Sequence, residues 1–576
     1  MKNNIKNKKQ SDKKSFFLSR YNILLFCILA CVVLLLGRVA DLQFFNQQML
    51  VHEANLRSLK TIVLPTARST LTDRNGEVLA MSVPSRDIVA NPQDIVSHQT
   101  DFDNAKWRYL AGALNTTPEQ LKLKIYHNDR RHFLFLERKV EQGIAHDISA
   151  LHVAGISETS DYSRFYPMGE AAAPLIGLVG IDNSGLSGIE HSFNHLLLGH
   201  LGKKTYRQDA HGDIVSVLNE EAPQPAPTIQ LSIDKYDQYT AFSELRDGVL
   251  ANNADSGTAV LVKIDTGEIL AMASYPSFNP NNMQAVQAAE MRNVAINDSF
   301  EPGSTVKPLV IIEGLQRHII TAHTLLDTTP FKVNGHLIRD VGHWPRLTPT
   351  GILQKSSDIG VSHIALAMPS DALVNIYQRF GLGKPTKLDL PGESTGYFPL
   401  HRQKWIDIER ATFSFGYGLR ATPLQIARVY ATLGAYGVYR PLSITKVTPP
   451  VDGDPVADPD IVNTVLHMME SDMLPGGSGV KAAVPGYRLA IKTGTAEKLG
   501  DSGKYDAGYV NYTAGVAPLE HPVVALVVVI NNPKAGTHFG GSVAAPVFGK
   551  IIGPVLEHMN IAADALPGDS HVQAVN

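Results

Sequence analysis

Two residues three positions apart, Ser304 and Lys307, have the side chains of a nucleophile and its base. A serine hydroxyl is a weak nucleophile until a base takes its proton, and a lysine acts as that base only where burial or neighbouring charge lowers its pKa. The turn 300–304 runs into an apolar stretch, which predicts a buried helix with Pro308 in its first turn. Lys307 would then lie on the same helix face as Ser304, within reach of its hydroxyl.

The Ser-x-x-Lys spacing alone is not specific, because the chain contains it at five places. These are Ser11/Lys14, Ser232/Lys235, Ser304/Lys307, Ser443/Lys446 and Ser478/Lys481. Two further motifs distinguish the copy at Ser304. Ser356-Ser357-Asp358 follows it in a helical region, and Lys492-Thr493-Gly494 lies later, at the end of a strand. Motifs of these kinds occur together in β-lactamases and penicillin-binding proteins.

Acyl transfer gives each motif a chemical role. Ser356 can relay a proton between Lys307 and the leaving amine of a substrate. The backbone N–H groups of Ser304 and Thr495 can form an oxyanion hole, in which each donor is worth roughly 3 kcal/mol. These residues would therefore carry out the bond-breaking steps.

The Lys-Thr-Gly-Thr motif has the groups to bind an anionic substrate. Lys492 offers a positive charge for a carboxylate, and the hydroxyls of Thr493 and Thr495 offer hydrogen-bond donors. Gly494 has no side chain, so a substrate can approach the strand edge closely. We predict as catalytic Ser304, Lys307, Ser356, Asp358 and Lys492, as substrate-binding Thr493, Gly494 and Thr495, and no metal ligand.

The elements that must position these residues indicate an α+β fold. Two apolar strands flank a tight turn within 257–273, and helical periodicity prevails from about 305 to 470. Strands return at 488–496, 509–517 and 522–531. Strands at both ends of a segment with helices between them predict one antiparallel sheet flanked by helices.

An N-terminal apolar segment precedes this domain. Basic residues are frequent in 1–20, no charge occurs in 23–37, and no small-residue cleavage site follows. The segment 21–43 therefore predicts a single transmembrane signal-anchor with a cytoplasmic N-terminus. Both cysteines of the chain lie in it, which excludes disulfides and thiol chemistry elsewhere. The net charge of −3 gives no indication of nucleic-acid binding.

Several long strings resemble class B penicillin-binding proteins, and within them the division-specific peptidoglycan D,D-transpeptidases or a paralogue of these. Besides the three active-site motifs, the strings are 73–76, 301–304, 410–418, 422–425 and 512–515. The resemblance extends from the anchor to about residue 560. It implies a single N-terminal transmembrane helix, a membrane-proximal α/β-mixed domain and a C-terminal penicillin-binding domain.

A Pro-spaced connector at 221–227 suggests the main boundary. In the first half, 70–80 predicts a hairpin around an Asn-Gly turn and 185–199 predicts a helix, without a nucleophile–base pair. We predict a cytoplasmic basic tail (1–20), the signal-anchor (21–43), a pedestal of dimerisation type (44–222), a transpeptidase domain (223–560) and a disordered tail (561–576).

The resemblance implies a serine enzyme of the bacterial inner membrane whose periplasmic domain cross-links septal peptidoglycan. Ser304 would attack the penultimate D-Ala carbonyl of a stem pentapeptide, release D-Ala and pass the acyl group to the side-chain amine of another stem. β-Lactams would acylate the same serine. The implied partners are lipid II-derived strands, an FtsW-type glycosyltransferase and other divisome membrane proteins. No cofactor or metal is implied.

The chain departs from the family pattern at two places. The family's Arg-Gly is Arg68-Ser69 here, a change that we expect to be tolerated. The family's Ser-x-Asn ends in Asp358, which when ionised can only accept hydrogen bonds and would stabilise the protonated form of Lys307. We hypothesise a variant that works best below neutral pH, where a protonated Asp358 could donate, with altered β-lactam affinity. The alternative is that Asp358 is simply tolerated.

Other functions fit parts of the sequence. An elongation-type transpeptidase and a D,D-carboxypeptidase share the chemistry, but the string around 416–418 favours the division type. A carboxypeptidase would usually carry an amphipathic C-terminal anchor, whereas the tail here is polar and interrupted by Pro and Gly. A bifunctional enzyme would need a glycosyltransferase module before residue 220, and no such module is apparent. The non-enzymatic alternative is a catalytically weak β-lactam-binding divisome scaffold or sensor.

Overall fold

A computed structural model describes residues 20–209, 214–284, 286–400, 402, 404–499 and 505–565. Nearly all of the predicted basic tail, and the predicted disordered tail beyond residue 565, lie outside the described residues.

The helices, in chain order, are α1 (Arg20–Ala40), α2 (Gln47–Ser58), α3 (Pro92–Ser97), α4 (Ala105–Ala113), α5 (Pro118–Tyr126), α6 (Gln142–Ala150), α7 (Ala173–Ile176), α8 (Gly188–Ser192), α9 (Asn194–Leu197), α10 (Lys235–Ala251), α11 (Val294–Asn297), α12 (Lys307–Gln316), α13 (Pro349–Lys355), α14 (Asp358–Ala367), α15 (Ala372–Arg379), α16 (Asp407–Ser414), α17 (Pro423–Gly434), α18 (Pro459–Glu470) and α19 (Gly540–His558). The strands are β1 (Leu59–Leu64), β2 (Leu71–Thr72), β3 (Val78–Ala90), β4 (Leu134–Glu141), β5 (Ile156–Phe165), β6 (Gly202–Gln208), β7 (Ile214–Glu221), β8 (Ile229–Gln230), β9 (Ser256–Lys263), β10 (Ile269–Tyr275), β11 (Leu326–Asp327), β12 (Phe331–Val333), β13 (His336–Ile338), β14 (Arg346–Leu347), β15 (Val438–Tyr439), β16 (Asp454–Pro455), β17 (Ala490–Leu499), β18 (Tyr505–Ala517) and β19 (Val524–Asn531).

The chain divides into two compact units, Met1–Pro65 with Leu201–Gln224, and Thr66–His200 with Pro225–Asn576. In the first unit, α1 continues into a π-helical turn, Asp41–Phe45. The whole segment Arg20–Phe45 is long and apolar enough to cross a membrane, and none of its apolar window is buried. The predicted apolar helix is therefore present as a candidate membrane anchor. The antiparallel sheet β1-β6-β7 completes this unit.

Within the second unit, the part before residue 200 is built on a sheet in the order β4-β3-β2-β8, with β5 also paired to β3. The predicted hairpin at 70–80 is present as β2 and β3. The helix predicted over 185–199 is instead the two short helices α8 and α9. The helix is interrupted because the Arg68 guanidinium donates hydrogen bonds to Glu190 O at 2.6 Å and to Asn194 Oδ1 at 2.7 Å. The Glu190 carbonyl would otherwise accept from the Asn194 N–H in a continuous helix.

The part after residue 225 is organised by an antiparallel sheet in the order β10-β9-β19-β18-β17. Both faces of this sheet are covered. Alternate residues of β9 and β19 pack with α12 and α17 on one side and with α10 and α19 on the other. Central strands with two covered faces read as continuous apolar runs, as in 524–530. The predicted sheet built from both ends of the domain is confirmed, and β17 forms its edge.

Candidate active site

The predicted nucleophile lies at the start of a buried helix. Ser304 belongs to a 3-10 turn, Gly303–Val306, that leads directly into α12, and Lys307 is the first residue of that helix. Pro308 lies in the first turn, where its missing N–H removes no intrahelical hydrogen bond. Pro308 thus occupies the place that the sequence predicts.

Close backbone packing holds this turn. Gly303 has φ +54°, and a Cβ on Gly416 would lie only 2.2 Å from Gly303 O. Gly418 N donates to Glu301 Oε1 at 2.9 Å, again on the segment that precedes Ser304. The string around Gly416 therefore fixes the backbone that carries the nucleophile.

Lys307 is fully buried, and its ammonium has three acceptors. Nζ donates to Ser356 O at 2.5 Å, to Ser356 Oγ at 3.2 Å and to Asp358 Oδ1 at 2.7 Å. Ser356 Oγ in turn donates to Ser304 Oγ at 2.9 Å. An ammonium has three protons to donate, so these contacts use all of them. The connection from Lys307 to Ser304 therefore runs through the Ser356 hydroxyl.

Ser356 lies at a break between two helices. It ends α13 with φ 55° and ψ 41°, in the left-handed region, and the Ser357 hydroxyl then caps α14 by accepting from Gly360 N at 2.9 Å. A non-glycine residue held in this region costs about 1–3 kcal/mol. The helical region predicted here is thus two helices, whose junction presents Ser356 to Ser304.

Asp358 is the first residue of α14 and faces the cleft beside Lys307. Desolvation by the surrounding cleft raises the pKa of Asp358, and the positive charge of Lys307 opposes that rise. Asp340 adds a negative charge nearby, which also raises the pKa of Asp358. The predicted contact with Lys307 is therefore present, in surroundings that favour a neutral carboxyl more than water does.

The Lys-Thr-Gly-Thr motif lies on the edge strand β17. Lys492 is fully buried, its Nζ donates to Thr493 O at 3.1 Å, and Asp472 Oδ2 lies 3.5 Å away. A Cβ on Gly494 would meet Thr305 Cγ2 at 3.2 Å. Gly494 thus also lets the edge strand pack closely against the nucleophile turn.

The hydrogen bonds on the free edge of β17 indicate where Thr495 points. Thr493 N donates away from β18 to Asp472 Oδ2 at 3.1 Å. Alternate residues of a strand direct their N–H groups to the same edge, so Thr495 N also faces outward. Ser304 N lies in the first turn of its 3-10 segment, where N–H groups lack intrahelical partners. The oxyanion hole stays a prediction that this geometry permits.

One cavity of about 490 Å³ brings these groups together. Its lining includes Ser304, Ser356, Asp358, Thr493, Gly494, Thr495, Ser478 and Lys481. Lys307 and Lys492 are buried behind this lining. Ser478 and Lys481 are one of the four other copies of the Ser-x-x-Lys spacing, and no motif in the sequence predicts a role for Asp472. That spacing was the one signal in the sequence for this wall of the cavity.

A second cluster of titratable groups lies outside this cavity. Asp234, Asp237 and His558 offer ligand atoms within 4.8 Å of one another. Asp234 Oδ1 caps α10 by accepting from two backbone N–H groups, and His558 Nδ1 lies 3.0 Å from Asp237 Oδ1. Burial and the charge of Asp234 raise the pKa of Asp237 to about 7. Helix capping and hydrogen bonding account for this cluster.

Two family models match the chain. The "Penicillin binding protein transpeptidase domain" matches residues 257–553, and the "Penicillin-binding Protein dimerisation domain" matches residues 63–231. The peptidoglycan D,D-transpeptidase FtsI of Escherichia coli K12 is 50% identical over 572 residues, which cover 99% of this chain and 97% of the relative. The chain belongs to the FtsI family of class B penicillin-binding proteins.

Two further relatives and a solved structure are similar to this chain over most of its length. FtsI of Buchnera aphidicola subsp. Baizongia pistaciae is 42% identical over 96% of this chain and 97% of its own length. The probable D,D-transpeptidase PenA of Neisseria gonorrhoeae is 34% identical over 93% of each chain. A crystal structure of a peptidoglycan synthetase from Bifidobacterium adolescentis has a TM-score of 0.69 at 25% identity and covers 89% of this chain and 98% of that one. The predicted α+β class is confirmed.

Ser69, which departs from the FtsI family pattern, is accommodated without strain. It is buried, its hydroxyl donates to Pro227 O at 2.5 Å, and its φ does not lie in the left-handed region. Nothing in this backbone therefore requires a glycine. Its neighbour Arg68 pairs with the fully buried Glu190 at 2.5 Å.

Proposed function

We propose that this chain is a membrane-anchored peptidoglycan D,D-transpeptidase that cross-links stem peptides at the division septum through an acyl-enzyme on Ser304. The observation that carries the proposal is the hydrogen-bond chain from Ser304 through Ser356 to Lys307. Ser304 and Ser356 line one cavity together with Thr493, Gly494 and Thr495 of β17, and Lys307 and Lys492 are buried behind that lining. A nucleophile, a relay and an anion site in one cleft suit acyl transfer from a peptide that ends in a carboxylate.

Acylation begins when Ser304 Oγ gives its proton through Ser356 to a neutral Lys307. The oxygen attacks the penultimate D-Ala carbonyl, and the N–H groups of Ser304 and Thr495 stabilise the oxyanion. The C–N bond then breaks. The proton held by Lys307 returns through Ser356 to the amine of the departing D-Ala.

The second half-reaction runs the same path in reverse. The side-chain amine of an acceptor stem attacks the ester carbonyl, and Lys307 takes its proton through Ser356. Collapse of the intermediate breaks the bond to Ser304 Oγ, which recovers its proton. If water attacks instead, the product is that of a carboxypeptidase.

Asp358 modulates this cycle through Lys307. While Asp358 is ionised it stabilises the ammonium, and the base is less available. A protonated Asp358 no longer stabilises the Lys307 ammonium by its charge, and its hydroxyl can donate a hydrogen bond to the substrate. We therefore propose that this enzyme acylates relatively faster below neutral pH.

The candidate anchor and the family support a reaction outside the cytoplasm. With 21–43 in the bacterial inner membrane and a cytoplasmic N-terminus, the domain after it lies in the periplasm. The domain boundaries 44–222 and 223–560 belong to the same proposal. Partners would be an FtsW-type glycosyltransferase, which supplies the nascent strand, and other divisome membrane proteins.

The decisive experiment labels the full-length protein with a fluorescent penicillin. Wild type should label, and Ser304→Ala should lose the label. Ser443→Ala is the matched control, because Ser443 has the same Ser-x-x-Lys spacing but bonds to Thr445 O at 2.7 Å. Absence of labelling on wild type would end the proposal.

A second assay separates the remaining alternatives. The protein is given lipid II and a partner polymerase, and the products are analysed for cross-linked and trimmed stems. Cross-links indicate a transpeptidase and trimmed stems alone a carboxypeptidase. Labelling without either product indicates a scaffold or sensor.

A further inference from the structure

A fully buried carboxylate, that of Asp472, lies behind the carboxylate-binding wall of the cleft. Asp472 belongs to the 3-10 turn Ser471–Met473 that follows α18. Its Oδ1 accepts from Ser478 N at 2.8 Å and from Ser478 Oγ at 2.7 Å, and its Oδ2 accepts from Thr493 N at 3.1 Å and Thr493 Oγ1 at 3.4 Å. The carboxylate thus joins the loop that carries Ser478 to the edge strand.

The same carboxylate faces Lys492. The two side chains are 0% exposed, and Nζ lies 3.5 Å from Asp472 Oδ2. The other charges that act on Lys492 are Lys307 of α12 and Asp358 of α14. Tyr430 of α17 is the further titratable group that Asp472 influences. Asp472 is therefore the nearest of the anions that face this lysine.

We propose that Asp472 is a positioning residue for substrate-carboxylate recognition: it keeps Lys492 cationic and holds Thr493 and Ser478 in the cleft wall. The inference rests on the proposed function, in which Lys492 and Thr493 bind the terminal carboxylate of the donor stem. The inference adds Asp472 as the group that lets the buried Lys492 keep the charge with which it binds a carboxylate. A lysine without solvent or a counter-ion tends to lose its proton and with it the charge that an anion needs.

A purely structural role would need only the hydrogen bonds. Asp472 O also accepts from Gly479 N at 2.9 Å, so this segment shapes the loop in any case. The two roles differ in charge. An asparagine can keep part of the hydrogen bonding but leaves Lys492 without its neighbouring anion.

The direction of the pH effect follows. Burial lowers the pKa of Lys492, and Asp472 opposes that change. Removing the anion lowers the pKa further, so Lys492 loses its charge at a lower pH. Carboxylate binding should be lost at high pH as Lys492 loses its charge, and this alkaline limb of the pH profile should move toward lower pH in Asp472→Asn.

The test uses the detergent-solubilised full chain and benzylpenicillin, which has a carboxylate, beside its methyl ester, which does not. Acylation rates are measured for wild type, Asp472→Asn, Asp472→Glu and Ser478→Ala over a pH series. In wild type the carboxylate form should acylate faster than the ester. In Asp472→Asn this preference should fall about tenfold, through weaker binding, and the alkaline limb should shift. Asp472→Glu should restore part of the preference.

Ser478→Ala is the matched control, because it removes the hydrogen bond from Ser478 Oγ to Asp472, keeps the one from Ser478 N and keeps the charge pair. It should leave the alkaline limb where wild type has it. An equal shift in Ser478→Ala, or an unchanged preference in Asp472→Asn, would overturn the inference. The ratio of the two ligands is taken within one sample, so partial misfolding of a variant does not alter it. If wild type is not acylated at all, the proposed function fails, which is a different result.

Discussion

The cleft contains two buried lysines, each beside an aspartate, and the two aspartates are held differently. Asp358 lies 2.7 Å from Lys307 and faces the cleft. Asp472 lies 3.5 Å from Lys492, is fully buried, and accepts four hydrogen bonds from backbone and hydroxyl groups. One pair therefore reaches the reacting end of the cavity through Asp358, and the other lies behind its binding end.

A lysine beside an aspartate can therefore serve two purposes in one cleft. Asp472 is tied by its hydrogen bonds to the loop that carries Ser478 and to the edge strand. The carboxyl of Asp358 accepts from Lys307 Nζ and is partly exposed to the cleft. We infer that the Lys307 pair acts on the reacting serine and the Lys492 pair on substrate binding.

Removing each lysine in turn tests that division most strongly. Lys307→Met should lower the acylation rate about a thousandfold, because Ser304 loses its base. Lys492→Met makes the same change at the other pair and should act mainly by weakening binding. Time courses with fluorescent penicillin at several concentrations separate the two effects. A larger loss in the chemical step for Lys492→Met would reverse the assignment.

Changing Ser356 tests the link between Lys307 and Ser304. Ser356→Ala and Ser356→Gly should both slow acylation about a hundredfold, because each loses the relay hydroxyl. Their stabilities should differ, since glycine adopts the left-handed backbone of this position freely, and Ser356→Gly should be about 1 kcal/mol more stable than Ser356→Ala. Thermal unfolding checks this difference, and equal stabilities would contradict strain at the junction.

Neutralising Asp358 tests how its charge acts on Lys307 at the reacting end. Above the pKa of Asp358, Asp358→Asn should acylate about tenfold faster than wild type, because Lys307 gives up its proton more readily. Below that pKa, wild-type Asp358 is itself neutral and the two proteins should converge. Acylation rates from about pH 5 to about pH 8 give the comparison. Superimposable profiles would show that Asp358 is merely tolerated.

The smallest effect is expected for a contact outside both pairs. Glu497 N donates to Tyr417 OH at 3.3 Å, and burial raises the pKa of Tyr417 to about 12, so the phenol stays neutral in the assay. Tyr417→Phe should lower the free energy of unfolding by about 1 kcal/mol and leave the pH profile of acylation unchanged. Denaturant unfolding and the acylation profile are measured together. A shifted pH profile would mean that Tyr417 also controls acylation, beside the two lysine–aspartate pairs.

The sequence predicted the sheet and the position of Ser304 because those depend on local patterns. Apolar runs mark strands buried on both faces, and Pro308 restricts where the helix can begin. It missed the break between α8 and α9, because the group that interrupts the helix, Arg68, comes from far away in the chain. Asp472 was missed for the same reason, since its partners on β17 are adjacent to it only in space. The sequence predicted that Ser356 relays a proton. It did not predict the left-handed backbone of Ser356, because the residue types around it are not typical of that conformation.

The carboxylate that occupies the free edge of β17 also restricts how another strand can pair with it. An extended peptide that binds by β-augmentation needs unpaired backbone donors, and the Thr493 N–H is already taken. The next donor on that edge is Thr495 N. A strand that instead paired with Thr493 N would have to displace the buried carboxylate of Asp472. The occupied Thr493 N–H therefore limits the positions at which an extended peptide can pair with this edge. It also offers less to the edge strand of another molecule, a protection that sheets need wherever an edge stays open.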